Sequence, residues 1–184
     1  TLRRDVKEST VSNVSTRAAD IKLVIFDVDG VLTNGGLFFG DSGEEYKMFN
    51  SKDGHGMKML QDSGVHIAII TGRSSNVVTQ RMINLGVEHV FQGVADKNIA
   101  YQELKAQLGI NDSNIAYMGD DVIDLPVMTK VGLSMAVADA HSVVIENADW
   151  TSQYKGGHGA AREACEMIMQ AQGTLAPMIK GYLS

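Results

Sequence analysis

The sequence predicts an α/β fold: a doubly wound parallel sheet with a β-hairpin inserted after its first strand. Three observations carry that expectation. Short apolar runs rich in Ile and Val alternate along the chain with segments of helical spacing. The runs lack the polar alternation of a half-exposed strand, so each belongs in a sheet buried on both faces. The rhythm breaks only once, just after the first run. Regular β–α alternation then gives parallel strands joined by right-handed crossovers.

Taken in order, residues 1–19 ("TLRRDVKESTVSNVSTRAA") are polar and weakly periodic, and read as a loosely ordered extension. The first strand is "IKLVIF" (21–26). "GLFFGDSGEEYKMFN" (36–50) follows as two short strands about the turn "GDSG". Helical spacing runs from Gly54 to Ser63, then "VHIAII" (65–70) supplies the second core strand. A helix from Ser74 to Leu85 leads to "HVFQG" (89–93), and one from Lys97 to Leu108 leads to "NIAYMG" (114–119). Val122 to Lys130 is helical, "VGLSMAV" (131–137) is the next strand, and a last helix spans Gly159 to Gln170. The expected domain is 20–173, followed by a weakly patterned tail, 174–184. No internal repeat is visible.

Composition narrows the function. At 184 residues and 44% hydrophobic content, the chain fits one domain with a single sizeable core. A net charge of −6, with no basic run beyond Arg3-Arg4, argues against duplex nucleic acid or an anionic membrane as partner. The single cysteine, Cys165, excludes an internal disulfide and a Cys-rich zinc site, and its setting "REACEMIMQ" reads as a buried helical thiol. No apolar run approaches the ~18 residues of a membrane span, and the N-terminal stretch lacks a signal peptide's apolar core. A reducing cytoplasm is expected.

The chemistry lies at the carboxyl ends of the apolar runs, where open α/β sheets bind ligands. The first run ends in Asp27 and Asp29, two residues apart and so on one side of an extended chain, about 7 Å apart at ~3.3 Å per residue. Such like charges call for a cation or a shared proton. The second run delivers Thr71-Gly72-Arg73, the third leads to Lys97, and the fourth delivers Gly119-Asp120-Asp121. Singly, each has an ordinary explanation: Asp29-Gly30 as a turn, Thr71 as a helix cap, Lys97 as a solvated lysine, and Asp120 and Asp121 as complements to a helix N-terminus. Jointly they fit phosphoryl transfer, with a carboxylate nucleophile, a hard cation on oxygen ligands, and a lysine and a hydroxyl on the phosphoryl oxygens.

"DVDGVLT", "TGR", Lys97 and "GDDVID" resemble, in order and position, the four motifs of the haloacid dehalogenase-like phosphatases. The resemblance implies Asp27 as nucleophile, Asp29 as general acid and then base, and Thr71 and Lys97 on the phosphoryl group. It implies Mg²⁺ held by the Asp27 side chain, the Asp29 carbonyl and the Asp120 side chain, with Asp121 and Asp124 behind the ligands. "FNSKDGHGMKML", "DKNIAY" and "GGHGAAREACEMI" narrow the likeness, across residues 20–173, to the family of 3-deoxy-D-manno-octulosonate 8-phosphate phosphatases, a capless branch serving lipopolysaccharide synthesis.

That resemblance implies a sugar acid phosphate substrate, met by Asn50, Ser51, Lys52, Asp53 and Gly54 and by Arg73 and Arg81, with Lys58 a weaker candidate. Arg81 lies at i+8 from Arg73, the same face after two helical turns. It also implies a homotetramer in which a hairpin or tail covers a neighbour's site, which would occupy the apolar "GLFF" strand. The competing fate for Leu37, Phe38 and Phe39 is to fold back on their own core. Asn34 departs from the family's usual Asp. The alternatives are a phosphatase of N-acylneuraminate 9-phosphate type, a non-catalytic oligomerisation module of the same fold, and a response-regulator-like receiver. Retention of Asp27, Asp29, Lys97 and Asp120 together argues against the module. The absence of an acid closing the third run argues against the receiver.

Overall fold

The computed structural model describes residues 13–183. Its core is a six-stranded parallel sheet of order β5-β4-β1-β6-β7-β8, with β1 (Leu23–Phe26) near the middle. β1 pairs on one side with β4 (His66–Ile70), Leu23 opposite His66, and on the other with β6 (Ile115–Gly119), Leu23 opposite Ile115. β5 (His89–Phe91), β7 (Leu133–Ala136) and β8 (Trp150–Thr151) extend the sheet to its edges.

Alternation along β1 explains the two-sided core. Val24 and Phe26 face one layer, with α2 (Ser51–Asp62), α3 (Asn76–Leu85) and α7 (Ala160–Ala171) packed over it. Leu23 and Ile25 face the other, covered by α4 (Lys97–Leu108), α5 (Leu125–Met128) and α6 (Ser142–Asn147). Each fully buried Leu, Ile or Phe contributes roughly 1.5–3 kcal/mol, so β1 is held from both faces.

The hairpin stands where expected, with β2 (Phe38–Phe39) antiparallel to β3 (Glu45–Tyr46). Phe38 and Phe39 are 60% and 61% exposed, so the apolar strand does not fold back onto its own core. Two regions differ from the sequence reading. Residues 13–19, expected to be loosely ordered, form helix α1, because Val14 packs on the core and the Arg17 guanidinium donates to Asp149 and to the Gly132 carbonyl. The remainder of the expected extension lies outside the described residues. The weakly patterned tail forms α8 (Leu175–Gly181), which rests Leu175 and Met178 against the core. Among the described residues no helix is long and apolar enough to cross a membrane.

Candidate active site

Strand ends bring the predicted residues together. Asp27 follows β1, Thr71 follows β4, Lys97 opens α4, and Asp120 follows β6. Asp27, Thr71 and Lys97 are all nearly inaccessible. The Lys97 ammonium lies 2.8 Å from Asp27 Oδ2 and 2.6 Å from Asp124 Oδ1. Asp27 Oδ1 accepts from the Val28 amide at 2.6 Å, so both oxygens of that carboxylate are oriented. The Thr71 backbone is fixed between the Phe91 carbonyl and the Val94 amide.

Asp124 holds the arrangement from behind. Its Oδ2 accepts the amides of Asp120 and Asp121 at 3.0 and 3.1 Å, and its Oδ1 accepts the Tyr117 hydroxyl at 2.6 Å. The Tyr117 oxygen in turn accepts from Lys97 at 3.3 Å. Both Asp124 oxygens are thereby committed to protein donors. Asp121 is exposed and caps the turn that begins at Val122.

These contacts set the electrostatics. Burial pushes the Asp27 carboxyl up to about 6, against the opposing pull of Lys97. Burial, reinforced by the charges of Asp124 and Asp27, pushes Asp120 up to about 8. Burial pulls the Lys97 ammonium down, but Asp27 and Asp124 outweigh it and hold it above its usual range. Tyr117 is raised well above the ordinary phenol by burial and by Asp124.

The donor set fits a hard divalent cation. Asp27, Asp120 and Asp124 each offer a carboxylate oxygen, all within 4.8 Å of one another. Three carboxylates against one ammonium leave two negative charges when all are ionised. Among the described residues the Asp120 carboxylate accepts no hydrogen bond and each Asp27 oxygen has one protein partner, whereas each Asp124 oxygen has two, so Asp27 and Asp120 are the side chains with capacity left for a cation. All-oxygen donors select ions such as Mg²⁺. Gly30 adopts φ +88°, and a methyl group there would overlap the Asp120 carboxylate, so the loop after β1 can approach Asp120 only through glycine.

Asp29 faces a different set of partners. Its Oδ1 accepts from the Lys47 ammonium, and its Oδ2 lies 3.8 Å from Arg73 Nε. Lys47 also sits 3.4 Å from Glu45, and Arg73 donates to Glu45 at 2.8 Å while lying 6.0 Å over the Phe39 ring. Lys47 and Glu45 were missed in the sequence because they come from the hairpin, not from a core strand end. Their signal was the i, i+2 spacing of opposite charges in "EEYK".

The loop candidates divide. Asn50 caps α2, its side chain accepting the amides of Lys52 and Asp53. Ser51, Lys52 and Lys58 are exposed. Asp53 is directed at the start of α7. It is buried, with Oδ1 accepting the Arg162 amide at 2.8 Å and Oδ2 the Gly159 amide at 3.2 Å, because the Asn50 cap starts the helix early and turns Asp53 toward α7. Arg81 is likewise drawn away. It lies 5.8 Å over the Phe49 ring, donates to the Asn50 carbonyl at 3.4 Å, and rests against Gly54. The one-face expectation for Arg73 and Arg81 fails because α3 begins only at Asn76, leaving Arg73 ahead of the helix. Asn34 serves as a turn acceptor for the Gly36 amide at 3.0 Å, which an Asp would also do.

A doubly wound parallel sheet with acids and a buried lysine at one edge defines a phosphoryl-transfer class, and the comparisons agree. Residues 89–163 match the haloacid dehalogenase-like hydrolase family. The 3-deoxy-D-manno-octulosonate 8-phosphate phosphatase of Salmonella typhi is 48% identical over 164 residues, 89% of this chain and 87% of that protein. The crystal structure of the phosphatase of that name from Yersinia pestis superposes with a TM-score of 0.88 at 48% identity, covering 89% of each chain. That from Moraxella catarrhalis, in complex with magnesium ion, phosphate ion and KDO molecule, superposes with a TM-score of 0.91 at 38% identity, covering 93% of this chain and 98% of that one. The chain belongs to the haloacid dehalogenase-like hydrolases, in the family of the 3-deoxy-D-manno-octulosonate 8-phosphate phosphatases.

Proposed function

We propose that the protein hydrolyses 3-deoxy-D-manno-octulosonate 8-phosphate to the free sugar acid and phosphate, in the cytoplasm, for lipopolysaccharide synthesis. The observation that carries the chemistry is the pair formed by Lys97 and the buried, oriented Asp27 carboxylate at 2.8 Å. The substrate assignment is supported by the likeness to phosphatases of that name.

In this reading Asp27 attacks phosphorus and forms an aspartyl phosphate, while the P–O bond to the sugar breaks. Asp29, protonated at that moment, gives its proton to the leaving sugar oxygen. As a carboxylate it then takes a proton from the water that attacks phosphorus. The P–O bond to Asp27 breaks and phosphate departs. Thr71 and Lys97 hold the phosphoryl oxygens, and Lys97 offsets the charge of Asp27. Mg²⁺, held by the Asp27 and Asp120 side chains and the Asp29 carbonyl, would supply charge neutralisation between nucleophile and phosphate dianion. Asp124 aligns Lys97 and the Asp120 backbone, and Asp121 caps the turn beside them. Arg73, at the mouth of the site, faces the sugar acid's carboxylate after release from Glu45.

We further propose that copies of the chain assemble as a homotetramer in which the exposed Phe38–Phe39 strand, or the tail, covers a neighbour's site. The test of function is phosphate release from a panel of sugar phosphates, with Mg²⁺ and with chelator, for wild type and Asp27→Asn. Metal-dependent turnover selective for the eight-carbon sugar acid phosphate, lost in the variant, is the expected result. Preference for a nine-carbon sugar acid phosphate would overturn the substrate. No turnover of any of them by the folded protein would overturn the enzyme.

A further inference from the structure

The buried carboxylate of Asp53 is not used by the chemistry above, yet it sits at a junction. Its two oxygens accept the Arg162 and Gly159 amides at the start of α7, where the helix's unpaired N–H groups and positive dipole end favour an acid. The segment this fixes, Gly156–Gly159, lies directly on the loop that follows β1. The Gly157 amide donates to the Val31 carbonyl at 2.9 Å, and the Gly157 carbonyl accepts from the Asn50 amide side chain at 3.3 Å. A methyl group at Gly156 would overlap the Gly30 carbonyl. His158 Nδ1 lies 2.8 Å from the Gly156 carbonyl and steadies the turn.

The same segment reaches the second side of the site. The Gly156 amide donates to the Asp139 side chain at 3.0 Å, and the Ala138 amide donates to the Tyr154 carbonyl at 3.0 Å. Two residues beyond Asp139, the His141 amide donates to the Asp120 carbonyl at 2.8 Å. One glycine-rich turn therefore bears on the backbone carrying Asp27 and Asp29 and on the backbone carrying Asp120.

We propose that Asp53 is a positioning residue, which clamps the Gly156–Gly159 turn against the Gly30–Thr33 loop and so fixes the spacing of the catalytic loop and Asp120. It acts through that turn and touches no substrate. Its kinetic consequences rest on the phosphatase reading, whereas its effect on the backbone does not.

The test compares wild type with Asp53→Asn, in which one accepting oxygen becomes an amide facing the N–H it formerly bound. Backbone hydrogen exchange of the full chain is read by mass spectrometry for peptides covering 27–35 and, as an internal reference, 66–70. Peptide 27–35 is expected to exchange at least tenfold faster with 66–70 unchanged, and kcat to fall about tenfold or more with KM within twofold. Gly156→Ala, which leaves the Asp53 bonds in place but wedges the turn from the loop, gives the same pattern and serves if Asp53→Asn does not fold. Glu166→Ala, which breaks the half-buried side-chain pair with Arg162 further along α7, leaves both readouts unchanged. Faster exchange confined to the start of α7, with 27–35 and kcat as in wild type, would overturn the proposal. Faster exchange at 27–35 in a protein whose wild type turns over no sugar phosphate would leave the clamp standing and remove the phosphatase reading instead.

Discussion

Replacing Lys97 by Met keeps the length of the side chain and deletes its charge. In the folded protein that ammonium stands 2.8 Å from Asp27 and 2.6 Å from Asp124, with only a few per cent of the side chain accessible. A unit-charge pair at 2.8 Å attracts by about 6 kcal/mol at an effective dielectric constant of ~20. The cost of burying the ions offsets part of this, and removing one member of a buried pair typically costs about 3–5 kcal/mol. That is a large share of the roughly 5–15 kcal/mol that holds a domain together, so Lys97→Met should fold but with a much lower urea midpoint. Loss of a positive group aimed at developing phosphoryl charge should remove a further factor of about 10²–10³ from kcat. The diagnostic is the double variant Lys97→Met/Asp124→Asn. Neutralising the acid that faces the deleted cation should return part of the stability while kcat stays down. Urea unfolding and initial rates of phosphate release on the same preparations read both. A folded Lys97→Met within tenfold of wild-type kcat, or recovery of activity by the second change, would refute the reasoning.

Other outcomes follow from the same geometry. Mg²⁺ must displace the proton that Asp120 holds up to about 8, so its affinity should weaken up to tenfold per pH unit below that value, with close to one proton released per ion at pH 7. Calorimetry in buffers of different ionisation enthalpy measures this, and a pH-independent affinity between pH 6 and 8 would contradict it. Because the folded pKa of Asp120 lies above its unfolded value, the metal-free protein binds that proton more tightly when folded. Its contribution to stability therefore rises as pH falls from about 8 toward about 4. Tyr117→Phe removes a 2.6 Å bond to Asp124 and should cost about 1.5–3 kcal/mol in urea unfolding, with a kcat reduced more than KM is raised. Burial holds the Cys165 thiol far above its usual pKa, so maleimide at pH 8 should label it only after denaturation. If the proposed tetramer forms through the exposed strand, Phe38→Glu/Phe39→Glu should lower the molar mass in solution, read by light scattering, and an unchanged mass would remove that strand as the contact.

The legible part of the site was the part built on strand ends. Asp27, Thr71, Lys97 and Asp120 could be placed at one sheet edge because each directly follows an apolar run or opens the next helix, and α4 begins at Lys97 as its spacing required. Lys47 was not found, because a hairpin residue's partner depends on where the hairpin folds over, which local pattern does not set. Tyr117 read as core, and it is core, but its hydroxyl reaches Asp124 from inside the strand. The direction of Asp53 depends on a single cap. Asn50 begins the helix at Ser51 rather than near Gly54, and that rotation sends the carboxylate to α7. β8 and α6 escaped notice because two and six residues are too few to show a period.

The central place of β1 has a consequence for how the chain is made. Its first neighbour, β4, is synthesised about forty residues later, and its second, β6, about ninety residues later, since Phe26 pairs with Ile69 and with Met118. At roughly 5–20 residues per second, the strand waits on the ribosome for several seconds, one edge open, before β6 emerges. Asp120 arrives with β6, so the acidic cluster cannot converge until some ninety residues beyond Asp27 have been made. Nascent chains stalled before that point should be the ones that chaperones hold.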